Sequence, residues 1–294
     1  MKVGFIGLGI MGGRMAARIL EEGHTLVVHN RTEAAARDLI KAGATWADSP
    51  AEVTRQVEVV VTMLADPDAV RSMALGEQGL LSGAREGLVW IDSSTVDPAF
   101  SREMSAAATE RDVQFLDAPV AGSKEPARKG ELLFLIGGPG VALQKCSQIF
   151  SAMGKKALHF GDAGKGSSMK MIVNLMLGQS MLAFTEAFAL GRSMGLTSSQ
   201  LFNTLAPTPV VAPLIGVLRQ RLEDGDFDAN FPLKHMHKDL VLAGKCAEEH
   251  GAAFESARVA EQIYGRAKDG GKGDDDFSAI FDYLVNGGGE GNGG

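Results

Sequence analysis

A lysine and an asparagine four residues apart could support proton transfer. Lys170 and Asn174 lie in the run Gly164–Asn174, for which the pattern predicts a helix, and this spacing places both side chains on one helix face. The face continues into the apolar residues Leu177 and Met181. Because apolar surroundings disfavour the charge of an ammonium group, Lys170 could donate a proton near neutral pH. The spacing is equally typical of a lysine that begins a helix and extends its ammonium group into water.

A glycine-rich segment near the N-terminus has the spacing G-x-G-x-x-G. It follows an apolar strand predicted for Lys2–Ile6 and opens a helix predicted for Met11–Glu22, the setting that makes this pattern specific for a dinucleotide. The first glycine permits a tight turn, the second lets a pyrophosphate approach the backbone, and the third allows close packing of the helix. An ordinary glycine turn is the alternative interpretation. The predicted cofactor-binding residues of this loop are Gly7, Leu8, Gly9, Ile10, Met11 and Gly12.

The residues after the second predicted strand, Thr25–His29, indicate which nicotinamide cofactor binds. Sites for NAD usually carry a carboxylate here, but this chain has Asn30, Arg31 and Thr32. Arg31 can form a charge-assisted clamp on a 2′-phosphate, and Thr32 can add a hydrogen bond. The sequence therefore favours NADP(H), although Arg31 could also be only a solvated surface charge. Thr32 is also the predicted N-cap of a helix that runs to about Lys41.

Polar loops follow two later predicted strands and could hold a substrate carboxylate. Ser94 and Thr95 follow the strand Leu88–Asp92, and Gly122 and Ser123 follow the next one. Doubly wound sheets bind ligands at the carboxyl ends of their strands, where these residues offer backbone and hydroxyl donors. The alternative is a pair of loops with ordinary turn chemistry.

Apolar strands alternate with helices over the first half of the chain. Because these strands are apolar on both faces, they predict a parallel sheet covered by helices on both sides. We therefore assign residues 1–162 to a doubly wound, Rossmann-type dinucleotide-binding domain. Besides the two strands above, the predicted strands are Val57–Met63, Leu88–Asp92, Gln114–Ala118 and Leu132–Ile136. Met63 and Leu64, where the first of these ends, are predicted to join the cofactor site.

Strand-like runs nearly vanish after Gly161. A helix without proline is predicted over Lys165–Met194, about 45 Å long at ~1.5 Å per residue, as the spine of a second domain. Residues 163–286 are therefore predicted to form an all-helical domain for substrate binding and oligomerisation, and the Gly-rich residues 287–294 a disordered tail. Because the long helix has more apolar surface than one copy can cover, a homodimer or homotetramer is expected.

Composition and charge limit the classes of partner. The net charge of −7 argues against nucleic acid as the main partner. Gln179 and Glu186 interrupt the apolar run Ile172–Leu190, so we expect a buried helix rather than a membrane span. His235 and His237 are two residues apart on a predicted helix and point to different faces, so no metal site is expected. A soluble, cytoplasmic protein is expected.

Three motifs in this order resemble those of the β-hydroxyacid dehydrogenase family. They are the Gly-rich loop, the D-x-P-V-x-G segment from Asp117 to Gly122, and the G-x-G-x-x-x-K-x-x-x-N segment from Gly164 to Asn174. The resemblance spans nearly the whole chain and implies a dinucleotide-binding domain followed by a helical domain. It implies that Lys170 is the catalytic residue, assisted by Asn174. The further residues that it implies are Thr95 near nicotinamide and substrate, Gly122 and Ser123 at the substrate, and Lys238 in the cofactor site.

A narrower resemblance indicates the substrate. The segments similar to glyoxylate/succinic semialdehyde reductases are Gly122–Ala127, Phe231–His235, Lys238-Asp239 and Asp276–Ala279. Much of the family has glycine at the position of Ser123, which points away from 3-hydroxyisobutyrate dehydrogenases. The resemblance therefore implies NADPH-dependent reduction of small carboxylate-bearing aldehydes to hydroxy acids, with Ser94 and Phe231 also placed at the substrate.

Two other interpretations remain open on the sequence. Within enzymes, the chain could be a 3-hydroxyisobutyrate or tartronate semialdehyde dehydrogenase or reductase; imine reductases of related fold generally lack the lysine. Outside enzymes, it could be a non-catalytic binding module, like the dehydrogenase-like domains of nuclear proteins that have lost the catalytic lysine. The intact pair Lys170 and Asn174 and the acidic net charge argue against such a module.

Overall fold

Six parallel strands form the main sheet, in the order β3-β2-β1-β4-β5-β6. Their residues are β1 Lys2–Ile6, β2 Thr25–His29, β3 Thr45–Trp46, β4 Val59–Thr62, β5 Val89–Asp92 and β6 Gln114–Asp117. The strand order reverses between β1 and β4, and such sheets bind ligands at the carboxyl ends of the strands there. The predicted Rossmann-type architecture is confirmed. The computed structural model describes residues 1–287, so nearly all of the predicted Gly-rich tail lies outside the described residues.

A second sheet of three strands corrects one prediction. Leu132–Ile136 is a strand, β8, but it pairs antiparallel with Val120–Ala121 (β7) and parallel with Gly154–His159 (β9). It therefore does not extend the main sheet. Strand β9 is largely exposed and carries Lys155 and Lys156, which is why its sequence lacks the apolar run that marks the other strands.

Helices cover both faces of the main sheet. Val3 and Phe5 of β1 pack into one hydrophobic cluster and Ile6 into the other, which explains why this strand is apolar on both faces. The helix predicted to begin after Thr32 starts instead as a 3₁₀ turn, Glu33–Ala36, and the Thr32 side chain does not cap it. The helices of this part are α1 Gly12–Glu21, α2 Arg37–Lys41, α3 Pro50–Thr54, α4 Pro67–Leu75, α5 Leu80–Gly83, α6 Pro98–Thr109, α7 Lys124–Lys129, α8 Gly140–Lys145 and α9 Ser147–Met153.

The long helix α10, Lys165–Ser193, leads into an all-helical part. One compact unit runs from Met1 to Lys170 and the second begins at Met171, so the division falls inside α10, eight residues after the predicted boundary at 162. The core of the second unit contains a cluster of four phenylalanines, Phe184, Phe188, Phe202 and Phe281, whose ring centroids are 4.8–6.3 Å apart. The remaining helices are α11 Ser198–Leu205, α12 Pro213–Asp224, α13 Leu233–His250, α14 Glu255–Ala267 and α15 Ile280–Val285.

On the side of α10 that faces away from this core, apolar side chains are exposed together with Glu186. Ile172, Met176 and Leu190 are 55%, 59% and 61% exposed, and Met194, just after the helix, is 72% exposed. By length and composition α10 could cross a bilayer, a property that core helices of soluble proteins share. We propose that a second copy of the chain covers this face, because exposed apolar surface of this extent is unusual on a monomer.

The mass in solution tests this proposal. Light scattering at micromolar concentration should give the mass of two or four chains of 31.0 kDa. Met176→Glu, which buries a charge if the face is covered, should shift the mass towards one chain, whereas Glu223→Gln on α12 should leave it unchanged. A wild-type mass of a single chain would contradict the proposal.

Candidate functional site

Four neighbouring strands end at the same level of the main sheet. In the parallel registers, Ile6 pairs with Thr62, Thr62 with Asp92, and Asp92 with Asp117. The residues that follow these strand ends therefore share one edge of the sheet. They are the Gly-rich loop, Met63 and Leu64, Ser94 and Thr95, and the segment that begins at Ala118. The structure thus brings most of the predicted cofactor and substrate residues of the first unit to one edge.

The three glycines of the loop occupy three different environments. Gly7 has φ +96°, and a Cβ there would lie 2.3 Å from the carbonyl oxygen of Met63. A Cβ on Gly12 would lie 1.9 Å from the carbonyl oxygen of Gly7. A Cβ on Gly9 would meet no atom of residues 1–287 within 4 Å. Gly7 and Gly12 are therefore required by the fold of the loop itself, whereas Gly9 leaves its backbone open to a ligand.

The start of helix α1 is open to an anion. The N-cap residue, Met11, supplies no side-chain hydrogen bond, and the first turn has no acidic residue. Gly9 and Ile10, which precede it, are exposed. The Gly13 N–H donates to the Gly9 carbonyl oxygen at 3.2 Å, and the N–H groups that precede it at the start of the helix can bind phosphate oxygens. The geometry of the loop fits the pyrophosphate of a dinucleotide.

Asn30 ties the Gly-rich loop to the end of β2. The Leu8 N–H donates to Asn30 Oδ1 at 3.0 Å, and Asn30 Nδ2 donates to the Thr32 carbonyl oxygen at 3.1 Å. Between them, the exposed Arg31 makes no hydrogen bond or ion pair with any residue from 1 to 287. Its guanidinium is therefore available to an anionic group.

A buried hydrogen-bond network joins the ends of β4 and β5. Trp90 Nε1 donates to Thr62 Oγ1 at 2.9 Å, Thr62 Oγ1 donates to Asp92 Oδ1 at 2.7 Å, and the Ser94 N–H donates to the same oxygen at 3.2 Å. Ser94 Oγ in turn accepts from the Leu64 N–H at 2.9 Å. Burial raises the pKa of Asp92 to about 6, although the bonds from Ser94 and Thr62 oppose this shift. The network fixes the backbone that leads to the predicted substrate residues.

Thr62 and Asp92 were not predicted as site residues from the sequence. Each is the last residue of an otherwise apolar strand, so a polar residue in that position was the available signal.

The loop between β7 and α7 carries a serine hydroxyl without a hydrogen-bond partner in the described residues. Gly122 has φ +122°, which favours glycine. Ser123 takes the N-cap position of α7, and its carbonyl oxygen accepts from the Ala127 N–H at 3.0 Å. Its hydroxyl makes no hydrogen bond within the described part of the chain. The Ser123 hydroxyl can therefore donate to a substrate.

The carboxylate of Asp117 holds the start of α10. Its Oδ1 accepts from the Gly164 N–H at 2.8 Å and its Oδ2 from the Ser167 N–H at 2.7 Å. Burial raises the pKa of Asp117, and the two N–H bonds oppose this shift. Lys170 is half-buried and lies one helical turn after Ser167.

Asn174, one turn after Lys170 on α10, is 1% exposed. Its Nδ2 donates to Asp239 Oδ2 at 2.5 Å. The other oxygen of this carboxylate, Asp239 Oδ1, forms an ion pair with Lys238 Nζ at 3.0 Å but no hydrogen bond within the described residues. Asn174 Oδ1 has no hydrogen-bond partner among residues 1–287. The amide is thus oriented by Asp239, with its carbonyl oxygen left as an acceptor. No local pattern links Asn174 to Asp239, which lies 65 residues further on.

Phe231, predicted at the substrate, lies in the second unit. Its N–H donates to Asp276 Oδ2 at 3.1 Å, and its ring lies 6.4 Å from that of His235. Asp276 also caps the short 3₁₀ helix that begins at Phe277, because its side chain accepts from the Ser278 N–H. Within residues 1–287, no group of three or more His, Cys, Asp or Glu side chains could hold a metal ion.

Two family models together match nearly the whole chain. The NAD binding domain of 6-phosphogluconate dehydrogenase matches residues 2–161. The domain described as NAD-binding of NADP-dependent 3-hydroxyisobutyrate dehydrogenase matches residues 164–284.

Individual relatives cover the chain from end to end. Glyoxylate/succinic semialdehyde reductase 1 of Arabidopsis thaliana is 35% identical over 97% of this chain and 98% of its own length. The structure of 3-hydroxyisobutyrate dehydrogenase from Mycobacterium tuberculosis with L-serine is 29% identical and superposes with a TM-score of 0.87, covering 96% of this chain and 98% of that one. The cytokine-like nuclear factor N-PAC of Xenopus tropicalis is 33% identical over 97% of this chain but only 53% of its own length.

Proposed function

Because the chain belongs to the 3-hydroxyisobutyrate dehydrogenase family, we propose that it is a reductase that converts small carboxylate-bearing aldehydes to hydroxy acids with NADPH. The family makes it an oxidoreductase that uses a nicotinamide dinucleotide. Glyoxylate and succinic semialdehyde are the proposed substrates, since they appear in the name of a relative that matches over its full length. The observation that carries the proposal is the pair Lys170 and Asn174, one turn apart on a helix whose start is anchored by Asp117.

The first unit fits a phosphorylated dinucleotide. The open backbone at Gly9 and the uncapped start of α1 would hold the pyrophosphate, and Arg31 would bind the 2′-phosphate that distinguishes NADPH from NADH. When bound, NADPH supplies the hydride that adds to the carbonyl carbon. Met63, Leu64, Thr95 and Lys238 complete the proposed cofactor site.

Lys170 is the proposed general acid. As the carbonyl carbon is reduced, negative charge develops on the oxygen, and the Lys170 ammonium stabilises this charge and donates a proton to it. Asn174 Oδ1, which lacks a protein partner in the described residues, can accept from the ammonium or from the hydroxyl that forms. By holding the amide nitrogen, Asp239 leaves this buried oxygen as an acceptor.

Neutral hydrogen-bond donors are proposed to bind the substrate carboxylate. The Ser123 hydroxyl and the Gly122 backbone would bind it, with Ser94, Thr95 and Phe231 as further contacts. Hydrogen bonds to an ionised acceptor are roughly twice as strong as neutral ones, so two or three such donors can orient a small acid.

A single assay separates the candidate functions. Loss of the NADPH absorbance band should be fast with glyoxylate and succinic semialdehyde and slow with methylmalonate semialdehyde or tartronate semialdehyde. Turnover of the latter two, or of an imine, without turnover of the former would assign the chain to another branch of the family. No turnover of any carbonyl compound would favour a non-catalytic binding module, the other function that the sequence leaves open.

Replacing Arg31 tests the choice of cofactor. Arg31→Ala should raise the Michaelis constant for NADPH at least tenfold, equivalent to about 1.4 kcal/mol, because its exposed guanidinium, which has no partner in residues 1–287, is the proposed ligand of the 2′-phosphate. The Michaelis constant for NADH should hardly change. Arg37→Ala, another exposed arginine at the start of α2, is the matched control. Equal effects on both cofactors would show that Arg31 does not read the 2′-phosphate.

A further inference from the structure

We infer that Asp117 is a positioning residue for Lys170, acting through the first turn of α10; this inference rests on the proposed role of Lys170 as proton donor. Asp117 begins the segment that ends in the predicted substrate residues Gly122 and Ser123. One carboxylate would thus connect the backbone of the substrate loop to the helix that carries the proton donor.

The charge of Asp117 stabilises the start of α10. Helix α10 has no acidic residue in its first turn, where a negative charge would stabilise the positive end of the helix. Asp117 supplies that charge from strand β6, and both of its oxygens are used, one by the Gly164 N–H and one by the Ser167 N–H. Since Asp117 is 1% exposed, water cannot replace these bonds.

The start of α10 also packs closely against the strands. Three glycines let the start of α10 approach the sheets closely. A Cβ on Gly166 would lie 2.3 Å from the Leu135 carbonyl oxygen, and a Cβ on Gly137 would lie 2.5 Å from Asp117 Oδ1, while Gly164 has φ +91°. The first turn therefore lies in close contact with the backbone of both sheets, within reach of the Asp117 carboxylate.

A third contact holds the same turn from α6. Ser101 Oγ lies 2.8 Å from Ser167 Oγ, and both side chains are fully buried. Lys170 follows Ser167 by three residues, about 4.5 Å along the helix axis. Any shift or tilt of this turn therefore moves the Lys170 ammonium, and a displacement of about 1 Å can lower a reaction rate by 10²-fold.

A double-mutant cycle with Lys170 tests the inference. Asp117→Asn keeps the shape but turns one accepting oxygen into an NH₂ group that cannot accept an N–H. It should lower kcat by about 10- to 100-fold and change the Michaelis constant for NADPH by less than about twofold. In a Lys170→Ala background it should change kcat by less than about twofold, because the group that Asp117 positions is gone. Asp66→Asn, the same change at the N-cap of α4, should have equal, small effects in both backgrounds.

The outcomes are distinct. Equal losses in kcat in both backgrounds, or no loss in either, would overturn the inference and leave Asp117 a residue of fold stability. Normal turnover by Lys170→Ala alone would instead overturn the proposed function. If Asp117→Asn does not fold, the test passes to Asp117→Ser, which is smaller and keeps one accepting oxygen; it should lower kcat about 10-fold in the presence of Lys170 only, and no fall would overturn the inference.

Discussion

Replacing Lys170 by alanine is expected to lower turnover by about 10²–10⁴-fold, the usual contribution of a positioned general acid. NADPH affinity should change little, because the Gly-rich loop and Arg31 are untouched. Steady-state kinetics with succinic semialdehyde and fluorescence titration with NADPH measure the two effects separately.

Two companion variants make this prediction specific. Lys165→Ala removes an exposed lysine from the first turn of the same helix and should leave turnover close to wild type. Lys170→Arg keeps the charge but holds its protons too tightly and is bulkier, so it should remain poor. A folded Lys170→Ala enzyme that binds NADPH and turns over normally would show that Lys170 is a structural residue.

The second large effect is expected in the Gly-rich loop, where two alanine substitutions should fail in different ways. Gly12→Ala places a methyl group 1.9 Å from the Gly7 carbonyl oxygen, so helix α1 must move away from the loop. We expect a loss of about 3 kcal/mol in the free energy of unfolding, the upper end of the usual cost of overpacking, because the clash is with backbone that cannot repack. Gly9→Ala meets no atom of residues 1–287 within 4 Å, so its stability should change by no more than about 0.5 kcal/mol.

Cofactor binding should show the reverse pattern. Gly9→Ala should weaken NADPH binding at least tenfold, or about 1.4 kcal/mol, since its methyl group occupies space through which the pyrophosphate reaches the backbone. Urea unfolding without cofactor and NADPH titration together test the pair. Full NADPH affinity in a stable Gly9→Ala variant would place the pyrophosphate elsewhere.

The buried strands were the most predictable part of the fold. Strands β1, β2, β4, β5 and β6 are apolar on both faces because helices cover both, and this pattern is visible in sequence. Thr45–Trp46 has only two residues, too few for any periodicity. The placement of Leu132–Ile136 in a second sheet depends on its antiparallel pairing with Val120–Ala121, and a pairing partner leaves no local trace.

In the candidate site, too, local properties could be predicted from the sequence and long-range contacts could not. The turn chemistry of Gly7 and Gly12 and the helical spacing of Lys170 and Asn174 are local properties that the sequence reveals. The bonds from Gly164 and Ser167 to Asp117 span 47 and 50 residues, so only the folded chain shows them. Residues that position a catalytic side chain were therefore harder to predict from the sequence than the residues proposed to be catalytic.

The division between the two compact units inside α10 has a consequence for recombination between relatives. A crossover between Lys170 and Met171 would take the Gly-rich loop, Asp117 and the lysine from one parent, and Asn174 and Asp239 from the other. The junction lies within a continuous helix, where one inserted or deleted residue rotates everything that follows by about 100°. Chimeras joined there without a length change keep the helical phase, so the lysine of one parent could be combined with the asparagine and aspartate of another through a single crossover.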